Sequence, residues 1–470
     1  MYKELELKQI FSGKKILIAG FGREGRSSYL LLKKLFSDNP QGITLAIADK
    51  NEGIKTDALL LADSGLRFYV GEEYLAASYE YDIILKSPGI PMFDFASDVS
   101  KDKVSSQTDV FLRVFGSQTI GITGTKGKST TTNIIYNMMK EHNPNTIMAG
   151  NMGLPLFDCI ESITENTILV LELSSHQLEN ITKAPHIGIV LNLFQEHLDH
   201  YNSYMEYKLA KLNIARLQSA GDIFIYCSDN AELNDLVKQT AINSIVLSYS
   251  MEDEVEKGCY SNGKYFCIMP GNNPIYDIDK EKRYLQGSHN LSNCMAVFLV
   301  GHCFGISDDV IAKTISEFRG LEHRLEYVDE VDGVAFYNDS ISTIPEATMA
   351  AIAALNNVDT LLLGGFDRGI DYESLIDFLS NSNVNNIAFI GEAGRRMFSL
   401  MGAVNGLENR NYMLSNNYVE IVDWCCVHTQ KGKICLLSPA ASSYDSFKNF
   451  EERGCVFKGL IQNKKNSIIQ

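Results

Sequence analysis

TIGITGTKGKSTTT, from Thr119 to Thr132, joins an apolar run to a glycine turn, a lysine and a row of hydroxyls. It reads as a strand over 119–123, a tight turn at Gly124, Thr125, Lys126 and Gly127, and a helix opening at Lys128, Ser129 and Thr130. The first N–H groups of a helix have no partner inside it, and the positive end of the helix dipole lies there. A turn of this kind therefore binds phosphate. Lys128 would neutralise the outer phosphates of a nucleotide, and the Ser129 hydroxyl would complete a magnesium shell. The spacing departs from the common GxxxxGK[ST] loop, which needs glycine at 122; here that residue is Ile122, and the glycines are Gly121 and Gly124. The expectation is an ATP-using enzyme that works by phosphoryl transfer.

The same theme repeats on both sides of this stretch. KKILIAG (14–20), ITLAIAD (43–49) and YDIILKSPGI (81–90) read as buried strands before it. TILVLELSS (167–175), HIGIVLNL (186–193) and GDIFIYC (221–227) extend its own series, and TLLLGGF (360–366), NIAFIG (386–391) and KICLLSPA (433–440) form a third. Continuous apolar strands alternating with helical segments predict an α/β protein with parallel sheets covered on both faces. The more polar, turn-rich stretch 228–283 suits a small antiparallel addition. Breaks between the series predict three domains, 1–115, 116–323 and 324–470. The first and third are Rossmann-like, and the middle one is a P-loop ATPase with a mostly parallel sheet.

Composition narrows the classes. A 470-residue chain with 45% hydrophobic and 21% charged residues has the balance of a globular protein with sizeable cores. A formal charge of −16 argues against nucleic acid as a partner, because phosphate contacts need a basic face. MYKELELKQIF at the start is charged and lacks the apolar core of a signal peptide. No apolar run approaches the roughly 18 residues of a membrane span, so no membrane partner is expected. Ten cysteines without a CxxC pair suit free thiols in a reducing cytoplasm, the expected location.

A second glycine loop, Gly20-Phe21-Gly22-Arg23-Glu24-Gly25, comes after the first strand, and the helical segment 26–35 comes after the loop. Asp49 ends the next strand at the distance of a ribose-binding acid, so a nicotinamide or flavin enzyme is an alternative. Glu172, at a strand end in the P-loop series, is where a magnesium-binding acid is expected. His197 and His200 have an HxxH spacing that would set both on one helical face for a metal, although lone histidines are more often ordinary surface or core residues. Taken alone, Lys211 reads as a solvated helix lysine, and Arg324 and Asp339 as a surface ion pair.

The GTKGKS core and five segments C-terminal to it resemble the Mur ligase family, which joins amino acids to a nucleotide-activated sugar acid. The resemblance runs in order through Gly150-Asn151-Met152-Gly153, Glu172 to Gln177, Asn192 to Lys211, His289 to Asn293 and Gly320 to Arg324. Gly22 to Arg26 and Ser87-Pro88-Gly89 resemble a first domain that binds UDP, and Gly364 to Arg368 and Ser438 to Arg453 resemble the third domain of D-glutamate-adding members. The resemblance implies an ATP-dependent amide ligase of peptidoglycan precursor synthesis. It would be a monomer using ATP and two Mg2+ ions, with UDP-N-acetylmuramoyl-L-alanine and D-glutamate as substrates.

The resemblance also assigns residues. Gly124 to Thr130, Asn290, Asn293, Arg324 and Asp339 would hold ATP. Ser129, Glu172, His197 (rather than His200) and a carbamylated Lys211 would hold the metal, with Lys128, Glu172, His197 and Lys211 catalytic. Arg23, Glu24, Asp49, Ser87, Gly89 and Asn151 would take the UDP substrate, and Thr343, Arg368, Ser443 and Phe450 the amino acid. Domain closure would assemble these groups. The family commonly has a lysine where this chain has Ile341, and a lysine where it has Arg368. Ile341 removes a cation near the transferred phosphate or the amino acid, so amino-acid identity is the part least supported by sequence. Rivals are a relative with another amino acid or a folate acceptor, a dehydrogenase built on the first glycine loop, and a non-catalytic scaffold.

Overall fold

Apolar strands and the helices between them build three sheets in a computed structural model that describes all residues except 62, 64, 152–153, 197–199, 281–282, 286, 403–409 and 470. In the first sheet, β1 (Lys15–Ala19), β2 (Thr44–Asp49), β3 (Arg67–Val70), β4 (Ile83–Lys86) and β5 (Val104–Ser105) lie in the order β3-β2-β1-β4-β5, all parallel. Successive residues of a strand point to opposite faces, and β1 shows it: Ile16 and Ile18 join a core with Leu31, Leu32 and Leu35, while Leu17 and Ala19 join another with Leu75 and Tyr81. These four β1 residues are fully buried, and Ile16, Leu17 and Ile18 are each worth about 1.5–3 kcal/mol. The helix after β1 opens at Arg23, three residues before the predicted 26, with Gly22 as its N-cap.

The second sheet adds β6 (Thr119–Thr123), β7 (Ile147–Gly150), β8 (Leu169–Glu172), β9 (Ile187–Val190), β10 (Ile223–Cys227) and β11 (Ile245–Ser250). It also takes in β12 (Gly258–Ser261), β13 (Tyr265–Met269) and β14 (Asn273–Asp277), in the order β14-β13-β12-β11-β10-β9-β6-β8-β7. β6 is central, parallel to both β8 and β9, so its C-terminal end meets theirs. The polar stretch forms the antiparallel edge β12-β13-β14, as predicted.

A hairpin opens the third sheet: β15 (Glu326–Val331) and β16 (Val334–Asn338) are antiparallel around Asp332 and Gly333. Both turn residues have positive φ, 49° and 81°, as a two-residue hairpin turn demands. β17 (Val358–Gly364), β18 (Asn386–Ile390), β19 (Asn411–Leu414) and β20 (Ile434–Leu437) complete it in the order β15-β16-β20-β17-β18-β19. The α/β class with mostly parallel sheets is as expected. Two compact units result: Met1–Lys282 with Ser288–Ile315 holds the first two sheets, and Arg283–Gly287 with Ser316–Gln470 holds the third. Among the described residues, no helix is long and apolar enough to cross a membrane.

Candidate functional site

The helix Lys128–His142 starts directly on the turn that leaves β6, with Gly127 as its N-cap at φ 85°. Asn192, just past β9, pins that turn: its Oδ1 accepts the N–H groups of Thr125 at 3.0 Å and Lys126 at 2.8 Å. The Thr125 hydroxyl lies 2.8 Å from the Tyr207 hydroxyl and accepts the Phe194 N–H at 2.9 Å. Lys128 folds back so that Nζ donates to the carbonyls of Gly124 and Thr125, both at 3.0 Å. The Asn293 amide lies against Gly127, on a helix (Ser288–Cys303) packed along Lys128–His142. Ser129, Thr130 and Asn290 are half-buried around this end of the structure's first unit.

Lys211 is buried, contrary to the solvated lysine expected from sequence alone. Its helix, Tyr204–Arg216, turns it inward with Tyr207, and Nζ donates to the Gly124 carbonyl at 2.9 Å while lying 4.9 Å from the Tyr207 ring centre. Burial, reinforced by the Lys128 charge, brings its pKa down to about 7. Two amines thus converge on one carbonyl, and each favours negative charge between them.

Glu172 ends β8, and only 2% of it is exposed. Asn151 Nδ2 donates to its Oε1 at 2.8 Å, whereas Oε2 is buried with no hydrogen-bond partner. A buried, unpaired carboxylate oxygen is costly unless it is protonated or meets a cation, so this donor fits a hard divalent ion. Gly150 has φ 110°, and a Cβ there would sit 2.3 Å from the Glu172 carbonyl; the chain can cross beside Glu172 only as glycine.

His197 and Gly153 lie outside the described residues, so the structure gives no geometry for them. Among the described residues no three His, Cys, Asp or Glu side chains converge on a metal-sized point. The expectation that His197 and His200 share one helical face falls on residues outside the described ones; before them 191–196 is irregular, and after them the next helix opens at Tyr204. The backbone near Asn192 and Phe194 is bonded to Thr125, and the Ser203 hydroxyl caps the later helix by accepting the Glu206 N–H at 3.2 Å. His200 is buried against Glu179 (3.4 Å) and the His176 ring (centres 4.0 Å apart).

A pocket of 330 Å³ is lined by Gly20, Gly22, Arg23, Glu24, Ser87 and Asn151, so it runs from the first glycine loop to the residue that holds Glu172. Its electrostatics suit an anion at the open end of the helix Arg23–Leu35. Asp49 does not line the pocket; both its oxygens are used on backbone, accepting from Phe21 N at 2.6 Å and Asn51 N at 2.8 Å. Ser87 Oγ donates to the Gly20 carbonyl at 3.1 Å, tying the 87–89 turn to that loop. Lys86, missed from sequence, is buried next to Ser87, donating to the Ile90 carbonyl at 2.7 Å and paired with Glu179 at 3.2 Å. A lysine inside an apolar strand was its visible signal. A larger cavity of 630 Å³, against Leu32, Phe36, Ile43 and Leu45, has an apolar wall, and its charged lining residues Lys33 and Asp63 are paired with each other at 2.9 Å.

In the second unit, Arg368 Nη2 donates to the Thr343 carbonyl at 2.8 Å, bringing two predicted residues together. Asp339 is buried rather than a surface ion-pair partner; Ser438 Oγ donates to its Oδ2 at 2.7 Å and Leu325 N to its Oδ1 at 3.2 Å. Burial pushes its pKa up to about 6. Arg324 is exposed beside it. The Phe450 carbonyl accepts from Ser340 Oγ at 2.8 Å, and Ser443 is buried. Arg453, not predicted, is fully buried and binds separate chain segments through Ser340 (Nη2 to O, 2.8 Å), Ala441 (Nη1 to O, 3.1 Å) and the Ser340 hydroxyl (Nε, 2.9 Å).

The Mur ligase middle domain matches residues 122–301. Across nearly the whole chain, the sequence is 31% identical to the UDP-N-acetylmuramoylalanine--D-glutamate ligase of Clostridium kluyveri, covering 97% of this chain and 98% of that one. It is 32% identical to that of Clostridium acetobutylicum, covering 98% and 99%. Among solved structures, the fold is similar to UDP-N-acetylmuramate-alanine ligase from Thermotoga maritima, at TM-score 0.53 and 16% identity over 96% of this chain and all of that one. It is also similar to a UDP-N-acetylmuramoyl-L-alanyl-D-glutamate--2,6-diaminopimelate ligase, at TM-score 0.57 and 15% identity over 91% and 93%.

Proposed function

This chain belongs to the Mur ligase family, and from that premise we propose that it joins D-glutamate to UDP-N-acetylmuramoyl-L-alanine with conversion of ATP to ADP and phosphate. The γ-phosphoryl group passes to the sugar-linked carboxylate, giving an acyl phosphate and ADP. The amine of D-glutamate attacks that carbonyl, and the tetrahedral intermediate collapses to the amide with loss of phosphate. Each step concentrates negative charge, so the residues' main tasks are positioning and electrostatic stabilisation.

In this reading the loop Gly124 to Thr130 cradles the ATP phosphates. Lys128 leaves its two carbonyl partners for them, Asn290 and Asn293 flank the nucleotide, and the family resemblance adds Arg324 and Asp339 to the groups that hold it. Ser129, Glu172, His197 and Lys211 (as its carbamate) are the residues that would hold magnesium, two ions in all; bound there, magnesium would neutralise charge on the transferring phosphoryl group. A lysine that ionises near pH 7 is uncharged often enough to take up CO2, which favours this role for Lys211. Arg23, Glu24, Ser87, Gly89 and Asn151 receive the UDP-linked substrate, with Asp49 bracing their loop. Thr343, Arg368, Ser443 and Phe450 receive D-glutamate. We take 1–115, 116–323 and 324–470 as the corresponding domains of a cytoplasmic monomer.

Asn151 carries the reading: it lines the anion pocket and also donates to Glu172 Oε1, so a substrate there ends beside the carboxylate that closes β8, the neighbour of the strand leading into the phosphate loop. The test is phosphate release with each component omitted in turn and the product identified by mass. The expected result is release that needs ATP, magnesium, the UDP-sugar and D-glutamate together. Release equally fast without D-glutamate, or amide formation on folate instead, would overturn it.

A further inference from the structure

The turn after Glu172 fixes which way one amide points, and that amide dictates how a carboxyl presents itself to the neighbouring pocket. Ser174 and Gln177 form a capping box: Gln177 N donates to Ser174 Oγ at 3.2 Å, and Ser174 N donates to Gln177 Oε1 at 3.1 Å. The oxygen of Gln177 is thereby used, so Nε2 faces Glu24 and donates to its Oε1 at 3.1 Å. Glu24 Oε2 is then the oxygen left to carry a proton. It is buried without a partner, on a residue that lines the pocket with Gly20, Gly22, Ser87 and Asn151.

Glu24 is the second residue of the helix Arg23–Leu35, the end at which an incoming anion is favoured. An ionised carboxylate beside a diphosphate is repulsive, whereas a neutral carboxyl supplies a hydrogen bond. The surroundings favour the neutral form. Burial raises the Glu24 pKa against the opposing influence of Gln177, Lys86 and Arg23. Of the charged groups nearby, Arg23 is on its own helix, Lys86 comes from β4, and Glu179 comes from the turn that carries Gln177. Lys86 is ion-paired with Glu179 and also feels Asp94, so its charge is largely answered before it reaches Glu24.

We propose that Glu24 receives the diphosphate of the UDP-linked substrate as a neutral carboxylic acid, its Oε2–H donating to a phosphate oxygen, so that binding requires one proton on this side chain. The proposal rests on the assignment of the pocket to a UDP-linked substrate. Below the pKa of Glu24 the proton is already in place; above it, each binding event draws one from solvent.

Calorimetric titration of the full chain with UDP-N-acetylmuramoyl-L-alanine, from about pH 6 to 9 in buffers of different ionisation heat, counts that proton. The diphosphate keeps its charge throughout this range, so uptake reports on the protein. The expected result is uptake climbing toward a single proton, with Kd rising about tenfold per pH unit above the Glu24 pKa. In Glu24→Gln, whose amide cannot titrate, both trends vanish. Binding by the unmutated chain with no proton uptake and a flat Kd would overturn the proposal, even if the variant failed to fold; so would a Glu24→Gln variant that keeps the slope. If neither the substrate nor UDP alone binds at any pH, the pocket assignment itself falls, and the proposal with it.

Discussion

Replacing Lys211 by Met should make the protein's stability less dependent on pH, by an amount set by the burial of one amine. In the folded chain burial and the Lys128 charge hold the Lys211 ammonium near pKa 7, against 10.5 for the free side chain. The folded value lies below the unfolded one, so between them the unfolded chain holds a proton that the folded chain has lost. Stability from this residue therefore rises with pH, by about 1.4 kcal/mol per unit in the middle of that window. Below pH 7 both states are charged and the full burial penalty applies. Integrated from pH 7 to 9, the gain is about 2 kcal/mol. Urea unfolding of both proteins at a series of pH values, with CO2 excluded so that the amine stays unmodified, isolates this slope, because other titrating groups cancel in the difference. The absolute stability of Lys211→Met is less informative, since the variant also leaves the Gly124 carbonyl without the 2.9 Å donor. A difference that stays constant within about 0.5 kcal/mol from pH 7 to 9 would refute the depressed pKa and remove the physical reason for a carbamylated lysine here.

Gly150→Ala should cost about 3 kcal/mol in urea unfolding, because the new Cβ meets the Glu172 carbonyl at 2.3 Å and the backbone sits at φ 110°; a loss under about 1 kcal/mol would mean that this strand end relaxes freely. Arg368→Met should raise the KM for D-glutamate roughly 10- to 100-fold, the value of a lost hydrogen-bonded charge, and leave that for the UDP-sugar near its original value. Equal changes in both constants would place Arg368 outside the amino-acid site. Glu172→Gln should lower the rate of phosphate release about 100-fold and raise the magnesium concentration needed for half-maximal rate. A variant with an unaltered magnesium requirement would show that Oε2 does not meet the ion.

Strands buried on both faces were readable because their residues are almost all apolar: Lys15–Ala19 and Thr119–Thr123 stand out without any tertiary information. The strands the sequence hid are those exposed on one side or very short. β3 is only part-buried, β5 has two residues, and β15 carries Glu326, Asp329 and Glu330. The Asp332-Gly333 pair is a hairpin signal, but the charged residues ahead of it break the apolar pattern by which the parallel strands stand out. Site residues divide the same way. Glu172 was legible because it ends an apolar strand, and Lys128 because it follows one through a glycine turn, where a parallel sheet opens toward ligands. Gln177 and Arg453 were not, because Glu24 and Ser340, which they bind, lie far away in the chain; Lys86 was visible as a lysine inside an apolar strand, but its pairing with Glu179 was hidden for the same reason.

The irregular spacing of the phosphate loop also has a structural cause. Ile122, standing where the common pattern wants glycine, is still inside β6, buried and in register with Glu172 on one side and Ile189 on the other. Gly121 is likewise a strand residue, where a Cβ would meet Pro185 at 2.8 Å and Leu173 at 3.0 Å. Neither position belongs to the loop. The loop proper is the four residues from Gly124 to Gly127, short enough that the Asn192 side chain and the Lys128 amine reach backbone on both sides of it. A short loop has few N–H groups to offer a phosphate, so more of the anion's charge has to be met by side chains. Lys128 and a cation suited to Glu172 are groups in this unit fitted to that task, and Lys211, as its carbamate, would help hold the cation. Pairing a short turn with an inward-facing Lys211 is thus one electrostatic solution rather than two separate features. On this account lengthening the turn would lessen the demand on the cation, whereas removing Lys211 from the native turn would loosen the cation and leave charge on the transferring phosphate unmet.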